Sequence, residues 1–120
     1  MGMGMDPTVR TLMDWLQGQT NRSIMIQKKE DRDLDRVRLT LAEVGYRPDD
    51  RSIDGYTEGN SLVLHGRGTV RTETGEAPLP QDRYVIPVDG LRISKASEDG
   101  VILQTDRAHY ALSPDLERVH

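Results

Sequence analysis

Apolar residues recur in the first part of the chain at the spacing of a helix, and after that mostly at the spacing of strands. Val9, Leu12, Met13 and Leu16 stand at i, i+3, i+4 and i+7, which is one apolar stripe of an amphipathic helix. Asp6 is placed to cap this helix, and Pro7 takes the first helical position, where its missing N–H costs nothing. Gly18 is placed to end it. Trp15 lies off the centre of the stripe and reads as a packing residue at the helix edge rather than as a ligand platform.

Beyond Asn21 the period falls to two. Ile24 and Ile26 alternate with polar neighbours, a charged turn runs from Lys28 to Asp33, and Val37, Leu39 and Leu41 alternate with Arg36, Arg38 and Thr40. This pattern predicts a hairpin with a polar outer face on its second strand. Leu34, Val37, Leu41 and Val44 also fit a helix ended by Gly45. The strand is preferred because Thr40 and the β-branched valines favour it.

Arg47 to Asp50 reads as a turn, Ile53 to Glu58 as a short strand, and Ser61 to His65 as a strand apolar on both faces at its centre. Gly66 and Gly68 predict a bulge or bend before Val70. Glu73 to Asp82 holds Gly75, Pro78 and Pro80 and is expected as a loop. Tyr84, Ile86 and Val88 share one face of a strand that Pro87 marks as an edge. Leu91 to Leu112 reads as a meander with turns at Glu98-Asp99-Gly100 and Thr105-Asp106-Arg107, stopped by Ser113-Pro114-Asp115.

About seven or eight short strands and one helix predict a mainly β chain of the α+β class. The expected architecture is a curled antiparallel sheet, as a small barrel or sandwich, with the N-terminal amphipathic helix on one face or across an open end. Residues 1–5 are expected as a ragged start and residues 6–120 as a single domain.

Composition adds a lean, aliphatic core to this picture. Hydrophobic residues are 35% of the 120, Phe is absent, and the aromatics are Trp15, Tyr46, Tyr56, Tyr84 and Tyr110. The net charge of −4 opposes non-specific binding to nucleic acid and to anionic membrane surfaces. The absence of cysteine rules out disulfides, thiolate-bound metals and thiol nucleophiles. No apolar run approaches the ~18 residues of a membrane span, and no signal peptide is evident, so a cytoplasmic protein is expected.

Few residues suggest chemistry. Asp31, Asp33 and Asp35 resemble the start of an EF-hand calcium loop, but Arg36 stands where Gly is needed and Ala42 where a bidentate Glu is needed. A solvated hairpin turn explains them better. Asp54 and Glu58 on one predicted strand and His65 on the next are weak candidates for an acid–base or metal site, subject to strand register. Gly66-Arg67-Gly68 lacks the remaining glycine of a dinucleotide fingerprint. No serine sits in a nucleophile elbow. Arg36, Arg38, Arg67 and Arg71 form a possible basic stripe, without the alternating aromatics of a nucleic-acid surface.

No cofactor or metal is therefore expected. The favoured function is a non-enzymatic, self-associating interaction or binding module. The first alternative is a small-ligand-binding barrel with its pocket between helix and sheet, and the second is an enzyme using Asp54, Glu58 and His65. Self-association as a two-fold homodimer is expected through Val63, Tyr84 and Ile86, because an apolar edge or outer face left bare invites aggregation.

Overall fold

The first helix forms where its capping signals place it. In the computed structural model, which describes residues 6–47 and 60–115, Asp6 Oδ1 accepts a hydrogen bond from the Thr8 amide at 2.9 Å and Pro7 opens α1 (Pro7–Gln17). Gly18 follows, donating its N–H to the Asp14 carbonyl at 3.1 Å. Asn21, in the left-handed region at φ 70°, turns the chain into the sheet, a conformation that Asn tolerates better than most residues.

Among the described residues eight strands follow: β1 (Ser23–Glu30), β2 (Asp33–Arg47), β3 (Ser61–Thr72), β4 (Gly75–Pro78), β5 (Arg83–Pro87), β6 (Arg92–Ser97), β7 (Gly100–Gln104) and β8 (His109–Pro114). All pairings are antiparallel. The order is β4-β3-β2-β1-β8-β7-β6, with β5 also on β3, so the sheet is not closed into a barrel. Residues 34–44 are strand throughout. The segment expected as a loop, Glu73 to Asp82, contains β4, which pairs Gly75–Pro78 with Thr72–Thr69. Its glycine and prolines hid it, and a short edge strand ending in Pro78 is the kind that tolerates them.

The inner face of the sheet curls around one aliphatic core. Ile24 and Ile26 of β1, Val37, Leu39 and Leu41 of β2, Leu62 and Leu64 of β3 and Ile86 of β5 are fully buried in it. Val101, Leu103 and Leu112 join them from β7 and β8. One extra residue, Ala42, shifts the register between Leu41↔Gly66 and Glu43↔His65. That bulge moves the inward phase of β2 from Leu41 to Val44. Opposite it, a Cβ on Gly66 would strike the Thr40 carbonyl oxygen and one on Gly68 the Arg38 carbonyl oxygen, so the close approach of β3 to β2 requires glycine there.

The helix covers this core through Val9, Leu12 and Leu16, the last two without exposed surface. The expected ligand pocket between helix stripe and sheet is thus filled by packed side chains. Asp115, just past β8, is held by Arg38 Nε at 3.1 Å and by Ser23 Oγ at 3.0 Å, with its side chain 1% exposed. This clasp joins the end of β8 to β1 and β2.

At the far end of the inner face the lining turns polar. Lys28 stands in register between Asp35 and Tyr110 and pairs with Glu30 at 3.4 Å. Burial, then the nearby Tyr110 and the Asp35 charge, holds the Tyr84 phenol well above its ordinary value. Burial, then the Glu30 charge, pushes Tyr110 up to about 12, with Arg107 acting against them. Both phenols are kept protonated by the fold.

Leu12→Ala is expected to destabilise the protein by about 2–4 kcal/mol in urea unfolding. A change below about 0.5 kcal/mol would show that α1 does not seal the core. The tyrosines predict an alkaline limit. Their folded pKa values lie above the unfolded value near 10, so their contribution is complete below about pH 10 and is lost as pH rises through about 12. Urea midpoints measured from pH 9 to 12 are expected to fall, and to fall less steeply in Tyr84→Phe. Equal slopes would remove Tyr84 from the cause.

Candidate functional site

Of the three sequence-predicted acid–base candidates, the structure describes His65. Asp54 and Glu58 lie outside the described residues, as does the strand expected from Ile53 to Glu58. His65 is exposed on β3, in register with Glu43 on one side and Arg83 on the other. Among the described residues no group of three or more His, Asp or Glu is arranged to hold a metal ion. Asp31 falls in the two-residue hairpin connection between Glu30 and Asp33, at φ 55°.

The three residues expected at an interface are covered by the chain itself. Ile86 is fully buried in the core, and Tyr84 packs against that core from the same strand. Val63 is 6% exposed and stands between Gly45 and Val85 in register. Ile86 points inward because it alternates with Arg83 and Val85 on a strand whose other face is the sheet's outer side. Its side chain is therefore not presented to a partner. Large exposed apolar side chains occur elsewhere, at Leu34 (39%) and Ile102 (48%).

The four arginines of the expected stripe do share the outer face of β2 and β3. Arg36 stands directly opposite Arg71, Arg38 opposite Thr69, and Arg67 opposite Thr40. A recess of about 280 Å³ there is lined by Met25, Arg36, Arg38, Thr69, Arg71 and Glu76. Glu76 is the register partner of Arg71 on the next strand. Arg38 is already engaged by Asp115 at 3.1 Å. A second recess, of about 310 Å³, lies by the β1–β2 and β3–β4 turns, and its lining includes the acids Glu30, Asp33, Asp35 and Glu73 together with Lys28.

A larger groove, of about 630 Å³, runs between α1 and the β6–β7 turn. Trp15 forms one wall. Its indole Nε1 donates to the Ser97 carbonyl at 2.8 Å, which ties the helix to the end of β6 and holds the ring in one orientation. The Trp15 side chain is half-buried against the core, as its place at the edge of the stripe suggested, and it also faces this groove. Gln19, at the turn after α1, is 9% exposed, and its Oε1 is buried without a hydrogen-bond partner. Asp14, Glu98 and Asp99 add three carboxylates and Arg22 one guanidinium.

Two elements distant in sequence build this arrangement. Asp14 is exposed beside the helix stripe, while Glu98 and Asp99 form the tight turn that Ser97 and Gly100 bracket in register. Asp99 donates its amide to Ser97 Oγ at 3.2 Å, which stiffens the turn. Reading the sequence missed Gln19, Asp14, Glu98 and Asp99 as site residues. The available signal was the single tryptophan, set off the apolar stripe of its helix.

Residues 5–117 match the model of the YmzB-like protein family. The chain is 36% identical over 107 residues to the uncharacterized protein YmzB of Bacillus subtilis (strain 168), an alignment that covers 84% of this chain and 90% of that protein. No solved structure matches the chain. With the family model spanning nearly all of the sequence, and this relative aligned along most of both chains, the chain belongs to the YmzB-like protein family.

Proposed function

We propose that this protein is a non-enzymatic binding module whose recognition surface is the groove between α1 and the β6–β7 turn. The observation that carries this reading is the wall that Trp15 gives the groove, an aromatic ring already held in place by the bond from its Nε1 to the Ser97 carbonyl at 2.8 Å. The groove is large enough for a small ligand or a single side chain of a partner. No helix among the described residues is long and apolar enough to cross a membrane.

Self-association belongs to the same reading. Among the described residues β6 ends the sheet and pairs on one side with β7, and Ile102, 48% exposed on β7, lies beside it in register with Lys95. A two-fold contact along this strip would cover both.

Two measurements test these readings. A thermal-shift screen against a metabolite library is expected to find a ligand that raises the Tm of the wild-type protein but not of Ala96→Tyr, which fills the groove. Equal shifts in both proteins would move the binding site elsewhere. Sedimentation equilibrium at micromolar concentration is expected to show a dimer, and a single species at the 13.5 kDa chain mass would remove it.

A further inference from the structure

We propose that the recess on the outer face of β2 and β3 is a further binding site, one that takes a single phosphoryl group, as inorganic phosphate or on a small phosphorylated metabolite. Its residues are separate from the groove beside α1, so it stands or falls independently of that reading. The first argument is a pair of like charges. Arg36 and Arg71 stand directly opposite each other across the β2–β3 pair, and like charges so placed cost stability. On its other side Arg36 meets the neutral Gln27, and Arg71 meets Glu76 of β4. Among the described residues neither guanidinium forms an ion pair. Two guanidiniums thus lie side by side, and an anion between them turns their repulsion into attraction.

The recess around them has fixed walls. Arg38 forms one of them, with Nε held by Asp115 at 3.1 Å and Nη2 lying 3.7 Å from Met25 Sδ. Asp115 matches the charge of Arg38, so Arg36 and Arg71 carry the surplus. Thr69, half-buried in the lining and opposite Arg38 in register, adds a hydroxyl donor. The volume of about 280 Å³ suits one compact group rather than an extended chain.

The donor set selects the anion. A phosphoryl group offers three strong acceptor oxygens and a charge of about −1.5 to −2. That matches two guanidinium forks and a hydroxyl arriving from two strands. One fork already fills a carboxylate, which leaves the second arginine without a partner. Glu76 is exposed in the same lining and competes for Arg71, so its charge limits the affinity.

The test is an NMR shift titration of the full-length protein, labelled with ¹⁵N, at fixed ionic strength. The probes are inorganic phosphate, glucose 6-phosphate, glucose, acetate and a single-stranded thymidine oligonucleotide. Saturable shifts are expected at the amides of Arg36, Thr69 and Arg71 with phosphate or glucose 6-phosphate, and none with glucose or acetate. Tighter binding of glucose 6-phosphate names a metabolite as the source, and tighter binding of inorganic phosphate names the free ion. Arg36→Gln and Arg71→Gln are each expected to weaken binding by about tenfold. Both are expected to leave Tm unchanged or higher, because each removes one of two facing like charges. Glu76→Gln is expected to tighten binding. Lys29→Gln removes the same charge from an exposed position on β1 outside the recess and is expected to change nothing. Equal weakening by Lys29→Gln and by the arginine variants would mean diffuse attraction to the surface, and the proposal falls. It falls as well if acetate binds as tightly as phosphate, if the oligonucleotide alone saturates the site, or if no probe shifts these amides.

Discussion

The fold depends on one line of irregular backbone that crosses three neighbouring strands at the same height. On β2 it is the extra residue Ala42, on β3 the pair Gly66 and Gly68, and beyond β3 the break between β4 and β5. The break contains Gln81 and Asp82, both in the left-handed region, and the Leu79 amide reaches across to the Gly68 carbonyl at 2.9 Å. β4 and β5 thus behave as one strand running back along β3, interrupted where β3 carries its glycines. A sheet whose neighbouring strands β2 and β3 run to 15 and 12 residues would otherwise twist without curling. Bulges and glycines at a common level are the means by which a sheet turns a corner.

The curl decides where the aliphatic side chains meet. With no phenylalanine to fill space, the core depends on Leu, Ile and Val from seven of the eight strands reaching one centre. It still leaves that centre open on one side, and α1 closes it with Val9, Leu12 and Leu16. Covering the core commits the apolar stripe, and the edge of the helix beside it faces the β6–β7 turn. Trp15 occupies that edge, where its ring packs inward and its N–H reaches the end of β6. The groove is therefore a by-product of how the helix is seated: its depth comes from the gap between a round helix and the turn that follows β6. Gln19 lies in that gap because the chain has to leave the helix there and enter β1.

Charge is arranged differently on the two faces. The outer face carries the arginines of β2 and β3, one of them clamped to the buried Asp115 carboxylate. Removing Arg38 takes a guanidinium from a carboxylate whose side chain is 1% exposed, so the clasp helps specify how β8 ends against β1 and β2. The inner face turns polar only at the end away from the helix, where Lys28, Asp35 and the two tyrosines follow the last aliphatic rows. A net charge of −4 thus conceals an arginine-bearing outer face and a groove with three acids.

The helix, the antiparallel sheet and most of the strands were legible in the sequence, because each rests on local physics: a cap and a 3.6-residue stripe for α1, period-two alternation for β1, β7 and β8, and turn chemistry between them. The ambiguity at residues 34–44 was legible too, and the structure explains its origin. The bulge at Ala42 turns the inward step from Leu41 to Val44 into a spacing of three, which imitates a helix. β4 was hidden because an edge strand tolerates the Gly and Pro that announce a loop. The sequence also marked Tyr84 and Ile86 as an apolar edge. Which face of β5 looks inward depends on the neighbour it pairs with, and β3 turns Ile86 into the core. The groove was not legible at all. Gln19 and Asp14 meet Glu98 and Asp99 across some eighty residues of chain, and only the seating of the helix on the curled sheet, a long-range packing event without a local signal, brings them to one place.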